Sequence, residues 1–250
     1  MSPVPEAALV AAAGILAGII GSAGGITSLI SYPALLAVGI PAFPANVANN
    51  VSVTACWPGS ALASRPELQG TASWLRRWSW VTAAGGAIGA VLLLVTPPGA
   101  FSRIVPFLVA AGALILLLQP RLSALRGHHA HASPAVLAAG LLLVSVYGGY
   151  FGAGSGVMTL SLVLLTVDEN LARANALKNM LVGATTVTSA VVFIIFGPVD
   201  WAAVIPLSIG MFVGSMIGPR LARRIPANVL RWLVALLALG LAVKLWIAPA

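Results

Sequence analysis

Two glycine-rich breaks interrupt apolar stretches of this sequence, at residues 18–25 and 148–156, and each carries a serine. The unpaired amides at a helix N-terminus carry about half a positive charge, and glycine lets the backbone approach a ligand closely. If a helix begins after each break, these residues are of the types that bind an anion. The residues predicted to do so are Ser22, Gly24, Gly25, Gly154, Ser155 and Gly156.

Asparagines and one lysine form a second candidate group. Asn46 and Asn50 are four residues apart, as are Asn175 and Asn179, so each pair shares a helix face, and Lys178 lies beside the second face. A lysine deep in a membrane costs about 3 kcal/mol, which an anionic substrate could offset. We therefore predict that all five residues bind substrate. Two alternatives stay open: Lys178 snorkels to cytoplasmic water, and the asparagines only join helices.

The composition is that of an integral membrane protein. Of 250 residues, 60% are hydrophobic and 7% charged, whereas a soluble domain carries about 25% charged residues. No segment alternates apolar and polar residues, so the apolar stretches are predicted to be helices in membrane lipid. The net charge of +8 comes from basic residues dispersed in short loops, which indicates membrane topology rather than a nucleic-acid partner.

The sequence contains an internal duplication. The glycine spacing of residues 18–25 recurs in 149–156, and further asparagine and glycine patterns recur in the same order. We predict a first transmembrane repeat over 1–120, a cytoplasmic linker over 121–132 and a second transmembrane repeat over 133–250.

Segment lengths predict how each repeat crosses the membrane. Segments 26–38 and 157–167 are too short for a hydrocarbon core of about 30 Å, so each should form a re-entrant hairpin with the segment before it. The other three segments of each repeat should span. The ten apolar segments are 6–20, 26–38, 46–62, 78–95, 103–119, 134–151, 157–167, 174–196, 200–218 and 228–247.

Charge placement favours this all-α architecture. With both hairpins re-entrant, most basic loop residues fall on one side, and only Arg103 and Lys244 fall on the other. The rich side is cytoplasmic by the positive-inside rule, so both termini are predicted outside. Each repeat then makes an odd number of crossings, so the repeats are inverted, as in many secondary transporters.

Several motifs together resemble one family. After each glycine-rich break, Ala-Asn stands near the start of the next helix; the second half adds ANALKNM at 174–180, GPVDW at 197–201, and a final Gly-x-x-x-Gly-x-x-x-Gly ending in RLARR at 220–224. From about Ala13 to Trp246 the chain resembles the TauE/SafE family of sulfite and organosulfonate permeases. The resemblance implies a permease of the cytoplasmic membrane for a small sulfur-containing anion, such as sulfite or sulfoacetate.

The acidic residues bear on the direction of transport. All five stand at predicted helix ends or in loops, so no buried carboxylate is available for proton coupling. An interior-negative potential favours anion exit by about 2.3 kcal/mol per charge per 100 mV, which favours export. An anion channel using the same half-helix site, and an importer of another organic anion, remain alternatives. A homodimer is left open.

Enzymatic and metal-dependent functions are not predicted. Ser155 between glycines could suggest a nucleophile, but a nucleophile needs a base within hydrogen-bond reach, and the histidines stand in the linker. His128, His129 and His131 have no cysteine or carboxylate beside them, so we interpret them as solvated linker residues rather than a metal site. No cofactor is expected.

Overall fold

The computed structural model describes residues 3–124, 133–168, 170–221, 236, 239–240, 243 and 246–247. Within these residues every regular element is a helix, and five helices are long and apolar enough to cross a membrane. The all-α, multi-pass prediction is confirmed. The helices are α1 Pro3–Gly24, α2 Ser28–Ala37, α3 Ala42–Val53, α4 Cys56–Ala63, α5 Ala72–Val95, α6 Pro98–Ala124, α7 Pro134–Tyr150, α8 Ser155–Thr166, α9 Leu171–Phe196 and α10 Trp201–Leu221.

One predicted segment is wrong, because 46–62 is not a single helix. It divides between α3 and α4 at Thr54 and Ala55. Pro58 has no amide to donate to the Thr54 carbonyl, and the amide of Trp57 instead donates to that carbonyl at 3.1 Å. The proline therefore breaks the helix one turn before its own position.

The starts of the two short helices also differ from the prediction. α2 begins at Ser28 rather than residue 26, and α8 begins at Ser155 rather than residue 157. At the junction of the repeats, α6 continues to Ala124. The remainder of the linker, 125–132, and most of the tenth predicted segment, 228–247, lie outside the described residues.

Glycines let the long helices pack with their backbones in contact. α1 packs along α10, and α5 packs along α7. A Cβ added to Gly14 would lie 2.6 Å from the Leu207 carbonyl oxygen, and one added to Gly85 would lie 2.6 Å from the Ser145 Cβ. Small residues commonly provide such contacts between membrane helices. Equally close contacts would meet a Cβ added to Gly89, Gly210, Gly214 or Gly218.

This packing gives a first prediction. Gly14→Ala should destabilise the protein by about 1–3 kcal/mol, since the added methyl group meets the backbone of α10. Thermal unfolding in detergent would measure the loss. Gly99→Ala is the control, because nothing lies within 4 Å of its Cβ. Equal unfolding midpoints for the two variants would contradict the packing argument.

Corresponding helices of the two halves make matching contacts, which we call the exchange pattern. α1 packs on α10 as α7 packs on α5, and α2 packs on α3 as α8 packs on α9. α5 contacts α9, while α10 contacts α3 and α4. A duplicated chain produces such matched pairs, which supports the two repeats that we propose.

Candidate functional site

The two glycine breaks lie directly against each other. A Cβ on Gly25 would lie 2.5 Å from the Gly156 carbonyl carbon, and a Cβ on Gly156 would lie 2.6 Å from the Gly25 Cα. Gly25, Gly152 and Gly154 have φ values of +81°, +82° and +82°, in the left-handed region that glycine adopts readily. Glycine is therefore needed at Gly25, Gly152 and Gly154 for the positive φ. At Gly25 and Gly156 it is also needed because a side chain would clash with the other break.

A cavity lies beside this contact. It is lined by both breaks and by residues of α3, α4, α7, α8 and α9. Seven of the predicted site residues line it: Ser22, Gly25, Asn50, Ser155, Gly156, Lys178 and Asn179. The other four, Gly24, Asn46, Gly154 and Asn175, do not.

The start of α8 presents a free amide at this cavity. Its N-cap, Gly154, gives no side-chain cap, and within the described ranges the amide of Gly156, which lines the cavity, has no hydrogen-bond partner. Thr27 provides no side-chain cap to α2, but the amides of Leu29 and Ile30 in the first turn of that helix already donate to backbone carbonyls. Uncapped first turns leave donors and a positive dipole end for a ligand. The arrangement is thus suited to a negatively charged group.

Lys178 brings the formal positive charge. It lies about 10 Å along α9, at about 1.5 Å per residue, and its side chain is 1% exposed. Its Nζ donates to the carbonyls of Gly21 at 3.3 Å and Ser22 at 3.5 Å. These carbonyls end α1, where the helix dipole is negative. The side chain therefore joins α1 and lines the cavity rather than snorkelling to the cytoplasm.

The lysine has capacity for a further partner. An ammonium has three N–H donors, and two carbonyl oxygens accept from this one. No carboxylate lines the cavity among the described residues. The ion pair of Asp168 with Arg173, 3.2 Å apart, is elsewhere, at the start of α9. A buried ammonium without a counter-ion is costly, and a bound anion would offset that cost.

Asparagines from each half hold the broken helix of the other half. Asn175 and Asn179 donate to the Ser22 carbonyl at 3.0 and 3.2 Å. Asn46 donates to the Tyr150 carbonyl, at the end of α7, at 2.9 Å. Asn46 and Asn175 therefore make the interhelical hydrogen bonds that the sequence left as an alternative.

The serine hydroxyls are already used within the chain. Ser22 Oγ donates to the Gly18 carbonyl at 2.7 Å, and Ser155 Oγ donates to the Gly152 carbonyl at 2.8 Å. Short hydroxyl side chains commonly bond nearby backbone in this way. Both oxygens keep lone pairs that can accept a hydrogen bond. Both hydroxyls donate within the chain, whereas the sequence predicts that these serines bind the substrate.

Sequence reasoning missed several residues that line the cavity. Thr185 and Thr186 follow Lys178 and Asn179 by two helical turns, so they lie on the same face of α9. This spacing was a usable signal. The other polar lining residues outside the prediction are Thr27, Ser28, Cys56, Ser60, Ser145 and Thr159.

Asn49, also missed, lies behind the cavity. It is fully buried, donates to Ser28 Oγ at 3.0 Å and accepts a hydrogen bond from Ser31 Oγ. Because Ser28 begins α2 and lines the cavity, this network fixes the first turn of that helix.

Known proteins are similar in sequence to this protein over most of the chain. A probable membrane transporter protein of Sinorhizobium is 28% identical over 95% of this chain and 91% of its own length. YfcA of Escherichia coli K12, also named a probable membrane transporter protein, is 28% identical over 92% of this chain and 86% of its own. A relative in Haemophilus influenzae, with the same description, is 27% identical over 93% and 91%.

No solved structure matches the chain. A family model described as sulfite exporter TauE/SafE matches residues 7–245, almost the whole sequence. Its range includes both glycine breaks, the asparagines and Lys178. The chain is therefore a multi-pass membrane transporter that belongs to the TauE/SafE family.

Proposed function

We propose that this protein exports a small sulfur-containing anion, such as sulfite or an organosulfonate, across the cytoplasmic membrane. The substrate binds in the cavity between the two broken hairpins, near the middle of the membrane. The observation that carries this proposal is Lys178, a buried ammonium with no carboxylate beside it, in a cavity where two helix breaks meet. The family description names sulfite as a substrate and export as a direction.

Three features converge on one small volume. Lys178 contributes an amino group, the start of α8 contributes the unpaired amide of Gly156, and Asn179 adds an amide at the cavity wall. Each is favourable to negative charge, and each gains strength where water is scarce. An anion in this position would reach all three donors, which belong to the second half of the chain.

The energetics of export need no coupling ion in this proposal. The four described acidic residues are Glu6, Glu67, Asp168 and Asp200, and none of them lines the cavity. A potential of 100 mV, negative inside, contributes about 2.3 kcal/mol per charge, or an outward concentration ratio of about 50. Movement of a negative substrate therefore proceeds outward under the potential alone.

Efflux from proteoliposomes tests this function. Vesicles containing the full chain would be loaded in turn with sulfite, sulfoacetate, sulfate and unrelated carboxylates, and a potassium gradient with valinomycin would impose the potential. We expect saturable efflux of at least one sulfur oxyanion that accelerates as the interior becomes more negative. Rates equal to those of protein-free vesicles for every sulfur anion would contradict the proposal.

A channel is distinguished by the same vesicles fused to a planar bilayer. An alternating carrier moves too few ions for resolvable unitary currents, whereas an open pore gives discrete steps. We expect no steps under conditions in which efflux is measured.

We further propose that residues 1–120 and 133–250 are inverted repeats, with both termini outside. The exchange pattern of helix contacts, α1 with α10 against α7 with α5, supports the duplication on which this proposal rests. A reporter enzyme that is active only outside the cytoplasm should be active when it is fused after Ala250. Activity of a cytoplasm-specific reporter at that position would contradict the topology.

A further inference from the structure

We propose that the cavity selects singly charged anions over doubly charged ones, so that its substrates are monoanions such as hydrogen sulfite or a short monosulfonate. This inference rests on the proposed function and restricts its substrate class. It excludes sulfate, the sulfite dianion and sulfoacetate as preferred substrates, since each carries two negative charges at neutral pH or above.

The charge inventory of the cavity is the first argument. Among the described lining residues, Lys178 has the one basic side chain, so the lining can supply no more than one positive charge. Cys56 is the remaining ionisable lining residue, and a thiol in its ordinary protonated form is neutral. All other lining residues are Gly, Ser, Thr, Asn, Val or Trp. One positive charge is therefore available to neutralise a ligand.

The duplication supplies the second argument. Lys178 stands directly before Asn179 on α9, and the corresponding residue in the first half is Asn49, directly before Asn50 on α3. Asn49 is neutral, and its side chain is occupied by Ser28 and Ser31. A symmetric site would have two lysines or none, and this chain has one. The charge supplied by the two halves is thus one, not two.

Uncharged donors do not substitute for the second cation. The hydroxyls of Ser22 and Ser155 already donate to backbone carbonyls, and the helix starts supply only partial charges. A second negative charge would stay unneutralised in a site where the environment screens it poorly. On binding, a dianion therefore loses more hydration free energy than its contacts with the cavity restore.

The uncharged part of the cavity favours a small apolar substituent. Val53, Val144, Val182 and Trp57 line it together with the polar residues. A monosulfonate presents one charged end and a neutral remainder, which matches this division. Sulfoacetate instead presents a carboxylate to the valines, at a desolvation cost.

Cys56 offers a direct measurement of binding. It is the one cysteine in the sequence, it is partly exposed, and it lines the cavity. The alkylation rate of this thiol by a small neutral maleimide would be measured in the purified full chain, against increasing anion concentration. Methanesulfonate and isethionate would serve as monoanions, and sulfate and sulfoacetate as dianions, all at one pH and one ionic strength.

We expect half-protection by the monoanions at concentrations at least about tenfold lower than by the dianions. Lys178→Gln should weaken monoanion protection, and Lys178→Arg, which keeps the charge, should retain the order of the anions. Inhibition of sulfite efflux by each anion should follow the same order, and it provides a readout that does not depend on thiol reactivity.

The failures of the two proposals are distinguishable. Equal or stronger protection by the dianions would overturn the charge rule and leave an anion permease in place. An absence of protection by every anion, together with an absence of efflux, would overturn the proposed function and the charge rule with it.

Discussion

Lys178→Gln is expected to lower anion efflux by about 100-fold or more, the loss typical when one partner of a buried charge pair is removed. Glutamine is close in length and keeps a donor for the Gly21 and Ser22 carbonyls, which now accept from the lysine. The charge is lost, while much of the bonding to α1 is preserved. Initial efflux rates in proteoliposomes would measure the effect.

The control for this variant lies on the same helix. Arg173 lies in the first turn of α9, and its side chain is 47% exposed in an ion pair with Asp168. Arg173→Gln removes one positive charge from α9 outside the cavity, and exposed pairs contribute about 0–1 kcal/mol. We expect near-normal efflux from it. Equal rates for Lys178→Gln and the unmodified protein would remove the lysine from the mechanism.

Gly156→Val is expected to abolish efflux and to destabilise the fold, because the contact between the two breaks has no room for a side chain. The Cβ alone would lie 2.6 Å from the Gly25 Cα, and neither backbone can withdraw as a flexible side chain could. Overpacking of this kind costs about 1–3 kcal/mol or more. Efflux and thermal unfolding should be measured together, and Gly156→Ala is expected to show a smaller loss of both.

Two alanine variants separate backbone strain from the clash. Gly25 and Gly39 both have positive φ, at +81° and +89°, but nothing lies within 4 Å of a Cβ at Gly39. Gly39→Ala therefore reports strain alone, and Gly25→Ala reports strain plus the clash with Gly156. We expect the larger loss of efflux at Gly25. Similar losses at both positions would show that Gly25 is required for its positive φ and not for its close contact with Gly156.

Composition and glycine spacing were sufficient to predict the class of protein and the positions of the two helix breaks. A charged fraction of 7% leaves no soluble alternative, and glycines as dense as those at 152–156 cannot continue a helix through that point. The sequence also made Lys178 a candidate site residue, since a lysine inside an apolar segment requires a partner. These inferences depend on local chemistry, which a sequence carries directly.

The partners of those residues depended on tertiary structure. Nothing local indicates that Lys178, Asn175 and Asn179 all donate to the end of α1, more than 150 positions earlier in the chain. The break before α4 was missed although Pro58 marked it, because the apolar pattern continues through the proline. Asn49 was missed because only asparagines four residues apart were considered.

The location of a bound anion would show whether the cavity is the substrate site. Crystals of the protein would be soaked with bromomethanesulfonate, a monoanion whose bromine scatters anomalously. We expect one strong anomalous peak in the cavity beside Gly156, with the sulfonate within hydrogen-bond distance of Lys178 Nζ. A peak elsewhere in the protein, with the cavity lacking the anion at saturating concentration, would contradict it.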